Sequence, residues 1–381
     1  MNPAPPRIAL IGAGLGGLLC ARVLRRNGLP VTVFEQDAAV TAPDRHGVPE
    51  LWLTTGQAAL RAAGLQKECA ALARPAGQEL RLLDHTATEL FRRAPTPGEN
   101  GGSAIGRGAL RRLLLESLPP GTLRWGSYLR TLHPLGDGRH TAEFDDGHTE
   151  TFDVVIGADG AWSRVRPVLS DATPHYCGVT FVEAGFEDVD TRHPRLARLV
   201  GDGTLLALSA GKGLIVRRHA AGRLHVQAAF RGSQDWALEA GVTMADTEAV
   251  REVLLDAFAG WDDRLLALLR DQDGGFRNRP LFALPVPHTW TATPGLTLLG
   301  DAAHLMAPFA AEGAGLALLD GAELALALAG DRDTDAALGA YEAAMLPRAA
   351  RAAEAATGAL TEAFAPDAPH GTLRRLRADG P

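Results

Sequence analysis

The densest chemical information lies in six residues, Gly12-Ala13-Gly14-Leu15-Gly16-Gly17, followed by Glu35. In this spacing the first glycine turns the chain, Gly14 lets backbone approach a pyrophosphate, and Gly17 lets a helix pack closely. A helix opening here offers free N–H groups and the positive end of its dipole to an anion. Glu35, 23 residues after Gly12, stands where an acid accepts from a ribose hydroxyl. The chemistry is dinucleotide binding, without a choice between a flavin and a nicotinamide. A second stretch, Gly157-Ala158-Asp159-Gly160-Ala161-Trp162-Ser163-Arg164-Val165-Arg166, sets Ser163 and Arg166 four and seven residues after Asp159. Alone it reads as a strand ending in an Asp-Gly turn. A third, Gly300-Asp301-Ala302-Ala303-His304, leads through Pro308 and Phe309 to Glu312-Gly313-Ala314-Gly315. Its Asp can accept from a ribose or ribitol hydroxyl, and a helix opening near Glu312 again offers N–H groups.

Elements to position these groups are legible around each motif. Arg7 to Ile11 and Val31 to Glu35 read as buried strands flanking a helix over Leu18 to Asn27, which Gly28 closes. Val154 to Ile156 and Leu296 to Leu299 are further parallel-type strands, each running into a motif. Leu80 to Leu83 with Thr88 to Phe91 form a hairpin, Arg107 to Leu118 a helix, and residues 131–153 a small meander broken by Gly-Asp-Gly and Asp-Asp-Gly turns. From Thr173 to about Leu284 alternating strands dominate, over Gly178 to Phe186, Thr204 to Ser209, Gly213 to Arg218 and Leu224 to Phe230. Helices near Asp246 to Phe258 and Asp263 to Arg270 follow, an α+β insertion. Glu312 to Leu328 is an Ala/Leu-rich helix, residues 334–364 are helical, and about the last fifteen residues are expected to be loose.

Composition narrows the function. The chain has 381 residues and a formal net charge of -7, with its arginines scattered, so no field for nucleic acid exists. Of 38 basic side chains only Lys67 and Lys212 are lysines, which leaves little room for a Schiff-base or general-base lysine. Cys20, Cys69 and Cys177 are far apart, and no metal site is expected. The apolar run Ile8 to Cys20 superficially resembles an export signal. It carries four glycines and no cleavage site, and fits a nucleotide cradle better. Gly313 to Gly330 is interrupted by Asp320 and Glu323, so no membrane span is expected, and the localisation expected is cytoplasmic.

The order of the three motifs resembles that of the group A flavoprotein monooxygenases, the hydroxylases of the para-hydroxybenzoate hydroxylase fold. The resemblance runs from Ile8 to about residue 365. Residues 53–60, Arg107 opening a helix, and Trp261-Asp262-Asp263-Arg264 resemble the tetracycline-inactivating branch most closely. The resemblance implies an α/β fold: a Rossmann-like FAD-binding domain with an inserted mixed β-sheet substrate layer above the flavin, and C-terminal helices. The implied domains are residues 1–172 and 285–330 for FAD, 173–284 for the substrate layer and 331–381 for the C-terminal helices and tail. It implies that Gly12, Ala13, Gly14, Leu15, Gly16 and Gly17 hold the FAD pyrophosphate, Glu35 the adenosine ribose and Asp301 the ribityl chain, and that Arg107 reaches the FAD. Asp159 and Arg166 belong to a motif associated with both FAD and NAD(P)H. Pro308 faces the flavin, and Gly313 and Ala314 open the helix toward it. The basic residue after Glu35 aligns poorly, Arg45 being nearest.

The implied reaction consumes NADPH or NADH and O2 and transfers one oxygen through a C4a-hydroperoxyflavin to an aromatic, phenolic or polyketide-like molecule. No side chain acts as a nucleophile, and Ser163 and His304 are read as structural or cofactor-shell groups. Glu183, Thr204, His225 and Phe230 fall at or beside strand positions that line the pocket in similar enzymes; Phe309, with Pro308, faces the flavin's reacting side at the substrate, and Phe364 closes the pocket, core packing being its alternative. His225 is the one candidate catalytic group, able to hydrogen-bond or deprotonate a phenol; an ordinary sheet histidine is the alternative. Two departures stand out: Ala311 and Gly315 occupy positions where the family usually has Gly and Asn. They motivate a second reading, a flavin-binding homologue without turnover that sequesters or senses a ligand. A flavin-dependent halogenase is a third, opposed by tryptophans that never fall two apart and by the scarcity of lysine. A monomer or homodimer is expected.

Overall fold

The structure is a computed structural model, and it describes residues 5–39, 50–52, 56–75, 79–94, 103–309, 312–331 and 333–378. In chain order the elements that matter begin with β1 (Ile8–Ile11), α1 (Leu15–Arg26), β2 (Val31–Phe34), β3 (Glu79–Leu83), β4 (Glu89–Arg93), α2 (Arg107–Glu116) and β5 (Val154–Gly157). The insertion supplies β6 (His175–Phe186), β7 (Gly203–Ser209), β8 (Lys212–His219), β9 (Arg223–Arg231), α3 (Thr247–Ala257), α4 (Asp263–Arg270) and β10 (Asp273–Ala283). The chain closes with β11 (Leu296–Leu298), α5 (Asp301–His304), α6 (Gly313–Gly330), α7 (Thr334–Ala363) and α8 (His370–Ala378).

The described chain forms two compact units. The first comprises residues 1–74, 102–175 and 283–356. Its parallel sheet runs β11-β5-β1-β2, with Leu123–Arg124 at the edge. Every residue of β1, β5 and β11 is buried, as strands covered on both faces must be. The register sets Ile8 against both Val31 and Val154, and Val155 against Leu296, so all three motifs leave the same, C-terminal end of the parallel strands. Helix α1 starts three residues earlier than its apolar periodicity suggests, because Gly14, extended at φ -70 and ψ 176, is its N-cap.

The second unit comprises residues 75–101, 176–282 and 357–381. Its seven-stranded sheet runs β10-β6-β9-β8-β7-β3-β4. Val182, Ala184 and Phe186 of β6, with Val226 and Ala228 of β9 and Leu214 and Val216 of β8, form one face, packed with α3 and α4 residues such as Leu254 and Leu268. The alternate residues form the other face. The hairpin β3–β4 was expected in the first domain; it belongs here, because β3 pairs in parallel with β7, Gly203 standing opposite Glu79. The C-terminal stretch is not loose throughout: α8 buries Thr372 and Leu376. Strand β10 escaped the sequence reading because Gly274, Gly275 and Pro280 break its pattern, yet at a sheet edge a missing N–H is tolerated.

Candidate functional site

The turn from β1 into α1 is built by glycines with different tasks. Gly12 has φ +104, and a Cβ there would lie 2.4 Å from the Ala158 carbonyl oxygen. At Gly17 it would lie 2.3 Å from the Gly12 oxygen, and at Gly16, 2.6 Å from the Ala317 oxygen of α6. These three positions serve backbone packing. Gly14 is different: the nearest atom to its Cβ position is the Ala158 oxygen at 4.0 Å, and its backbone angles suit any residue. No described side chain caps α1 and its first turn holds no acid, so among the described residues the positive helix end has no capping partner. Ala13 and Leu15 are buried supports. Ala13 donates its N–H to Glu35 Oε2 at 2.6 Å, and Glu35 Oε1 accepts from the Asp37 N–H at 2.9 Å. The buried Glu35 therefore pins the turn, with further lone pairs on each oxygen for hydroxyl donors.

The second motif is organised from within. Asp159 Oδ2 accepts from the N–H groups of Arg164 at 2.7 Å and Val165 at 3.3 Å, and Ser163 Oγ from those of Val165 and Arg166. Burial pushes the Asp159 carboxyl above its ordinary pKa. Its Oδ1 is buried with no partner among the described residues. Arg166, only 3% exposed, donates to the carbonyls of Ala172, Ala302 and Ala161 at 3.1, 3.0 and 2.8 Å. Its guanidinium is thus spent fastening the second motif to the third. Arg107 opens α2 and is half-buried. Arg45 lies outside the described residues.

In the third motif Gly300, at φ +61, reverses the chain and leaves Asp301 exposed as the first residue of α5. Beneath this turn, Asp320 Oδ2 accepts from His304 Nε2 at 2.6 Å and from the Gly300 N–H at 3.2 Å, while Oδ1 meets Arg348 at 3.0 Å. Burial opposes charging of His304, yet the Asp320 carboxylate holds its pKa above the ordinary value. Pro308 is exposed and Phe309 half-buried. Helix α6 opens behind Glu312 with no capping bond and no acid in its first turn, and open space lies over Gly313 with Ala314 half-buried beside it. Ala311 lies outside the described residues. By length and composition α6 could cross a membrane, but half of it is buried, it packs on α1 through Gly321, and Asp320 anchors it. Room at Gly14 for a Cβ, an α1 uncapped by any described side chain, and an Asp159 oxygen without a partner among the described residues fit the diphosphate and hydroxyl groups of a dinucleotide.

In the second unit, Glu183, Thr204 and His225 share the sheet face away from α3 and α4. Gln227 stands opposite Glu183, Arg217 opposite both His225 and Thr204, and Gln227 donates to Glu183 Oε1 at 3.3 Å. Phe230 does not join them. It points to the helix-covered face, edge-on to Trp236 with ring centroids 5.3 Å apart. Phe364, 1% exposed, lies 3.6 Å from the Cβ position of Gly213, on the polar residues' face. His225 Nε2 is 3.7 Å from Glu183 Oε1. Burial, then His219, Arg217, Arg279 and Arg277, push the His225 pKa down to about 3. Burial also pushes the Glu183 carboxyl up. His225 is therefore a neutral hydrogen-bonding group rather than a base tuned to pH 7. Arg217, Arg277 and Arg279 were missed; their alternation with Val216, Phe276 and Asn278 was the available signal.

The profile of a family described as "FAD binding domain" matches residues 7–210, more than half of the chain. Monooxygenase PenA of Penicillium thymicola is 32% identical over 84% of this chain and 84% of its own. The 3-amino-4-hydroxybenzoate 2-monooxygenase PtnB3 of Streptomyces platensis is 32% identical over 97% of this chain and 91% of its own. Among solved structures, Klebsiella pneumoniae HpxO complexed with FAD and uric acid superposes with a TM-score of 0.80 at 22% identity, covering 98% of this chain and 93% of that one. The tetracycline destructase Tet(51) gives 0.71 at 18% identity, covering 99% and 95%. The chain belongs to the FAD-binding domain family. Within it, the relatives make it an FAD-dependent monooxygenase, with the α/β fold of two sheets and C-terminal helices expected from its motifs.

Proposed function

We propose that this enzyme uses NADPH or NADH and O2 to hydroxylate a phenolic or polyketide-like aromatic molecule. The observation that carries the reading is the ligand-shaped spareness of the first unit: an uncapped α1, with room over Gly14 that the fold does not need. Bound there, FAD supplies the redox chemistry and the activation of O2. The chain's own part is to hold and orient. The α1 N-terminus takes the pyrophosphate, Glu35 accepts from the adenosine ribose, Asp301 from the ribityl chain, and the α6 N-terminus supports the electron-rich ring edge. Neutral His225 accepts or donates a hydrogen bond at a substrate hydroxyl, with Glu183 beside it and Thr204 two strands away on the same face. Arg166 acts through Ala161, Ala172 and Ala302 as a positioning residue. A tetracycline-like substrate rests on residues 53–60 and 261–264 of the sequence; relatives acting on small aromatic acids weigh at least equally.

The halogenase reading loses further ground. Lys212 donates to the Ala257 carbonyl, and Lys67 is exposed on the helix Gln66–Leu72. Purified protein tests the proposal. It is expected to be yellow, to oxidise NAD(P)H faster with a phenolic ligand, and to yield a product heavier by one oxygen. A colourless protein that FAD cannot reconstitute overturns the flavin site. A yellow one that never oxidises NAD(P)H with any bound ligand marks a sequestering homologue.

A further inference from the structure

The network beneath Asp301 sets two carboxylates against two bases. Asp320 and Glu323 of α6 face Arg348 of α7, at 3.0 and 2.7 Å, and Asp320 also faces His304 of α5. Burial opposes charging of His304, but the Asp320 carboxylate 2.6 Å from Nε2 outweighs it and holds the pKa above the ordinary value. A cationic imidazole donates from both nitrogens. Nε2 has Asp320. Nδ1 is buried, in a residue only 5% exposed, and has no partner among the described residues. An N–H left so is costly, the more when its ring is charged.

The same residue forms part of the wall of a cavity. Leu284, Val286, His288 and Leu305 also line it, with Ala350 and Ala353 of α7. It gives about 10 Å³ to the centre of a water-sized sphere, the room that a single water takes. His288 cannot serve as the partner of Nδ1. A carbonyl only accepts, so His288 Nδ1 donates to the Ala303 oxygen at 2.5 Å, and Nε2 accepts from Ser170 Oγ at 3.1 Å. The Leu305 carbonyl accepts from the Leu284 N–H at 2.9 Å and keeps a second lone pair. A water in this wall thus has a donor in His304 and an acceptor in Leu305.

We propose that this cavity holds one ordered water, hydrogen-bonded to His304 Nδ1, and that His304 is thereby a positioning residue for Asp301. The ring bridges the Asp320 carboxylate and the water, and the turn is fixed on every side. The Gly300 N–H is held by Asp320, the Ala302 carbonyl by Arg166 and the Ala303 carbonyl by His288. The water site follows from packing alone; its link to the cofactor rests on the flavin reading above. The charged and titratable groups in or beside the network are Asp320 and Glu323 from α6, Arg348 and Tyr341 from α7, and Asp301 from α5. His288 and, from the second motif, Arg166 complete them.

A high-resolution crystal structure of the FAD-loaded protein should show one water within about 3.2 Å of Nδ1. Nitrogen-15 spectra of histidine-labelled protein should show both His304 nitrogens protonated at about pH 6, below the ordinary histidine pKa. FAD affinity should fall as pH rises through the His304 pKa. Ala350→Leu fills the cavity and expels the water, so His304 gives up its proton sooner and that fall begins about one pH unit lower. Ala350→Ser, which leaves the room nearly unchanged, keeps the original profile. Where Ala350→Leu folds poorly, Ala353→Val makes the same displacement. No water at Nδ1, a halide in its place, a single protonated nitrogen, or an Ala350→Leu profile that matches the unaltered protein overturns the proposal. A colourless protein that FAD cannot reconstitute, with the water and both N–H signals present, supports the site and sinks the flavin reading.

Discussion

Asp320, in the middle of α6, stands 2.6 Å from His304, the last residue of α5, and the same carboxylate oxygen takes the Gly300 N–H. One buried side chain thereby fixes both ends of the turn that presents Asp301. Asp320→Ala leaves His304 without its counter-ion inside the protein, while Arg348 keeps only Glu323. It should lower stability by about 3–5 kcal/mol, as read by urea unfolding. In the folded remainder FAD affinity should fall, through loss of the Asp301 turn.

His304 and His225 should bend the pH–stability curve in opposite directions. His304 has a raised pKa, so its contribution is complete below its unfolded value of 6.5 and disappears as pH rises through the folded value. His225 is lowered from 6.5 to about 3, first by burial and then by His219, Arg217, Arg279 and Arg277, with Glu183 the one acid beside it. The unfolded chain therefore takes up a proton that the folded chain refuses, and stability is lost as pH falls from 6.5 toward 3. His225→Gln should flatten the acid limb and leave the limb above pH 6.5 unchanged. An unaltered acid limb refutes the assignment.

Gly14 and Gly17 should separate cofactor from fold. A methyl at Gly17 meets the Gly12 carbonyl, which cannot yield, so Gly17→Ala should cost about 3 kcal/mol or more in urea unfolding of the apoprotein. Gly14→Ala meets only the Ala158 oxygen at 4.0 Å, an ordinary contact, so the apoprotein should melt as before while FAD binds about 10- to 100-fold more weakly, a loss of roughly 1.4–2.8 kcal/mol. Equal FAD affinity in Gly14→Ala would refute a pyrophosphate at that spot.

Phe230 and His225 sit five residues apart on one strand and on opposite faces. Phe230→Ala should therefore remove about 2 kcal/mol of core burial and leave ligand affinity in the folded enzyme unchanged. A selective loss of ligand binding would return Phe230 to the pocket.

What was legible in the chain follows physical range. The glycine turn and the helix it opens are local, and the need for glycine is written in the backbone itself, since a Cβ at Gly12 or Gly17 would strike a carbonyl oxygen. Side-chain parity was less secure. One residue's shift in a strand changes the face, which is how Phe230 was grouped with His225. Non-local pairing was invisible: nothing in residues 79–93 says that they add two strands to a sheet formed mostly beyond residue 175. Partners fixed by tertiary contact were hidden too. Arg166 has the position of a cofactor ligand, yet its guanidinium ends among three backbone carbonyls.

The backbone contact between Gly16 of α1 and Ala317 of α6 has a consequence for biosynthesis. As the chain leaves the ribosome, β1, the glycine turn and α1 are made first, but α6, which packs on α1, arrives only after some 300 further residues. Until then the buried face of α1 that α6 covers stays open and is a natural client for chaperones. Flavin capture is accordingly a late event, following release of nearly the whole chain rather than guiding its early folding.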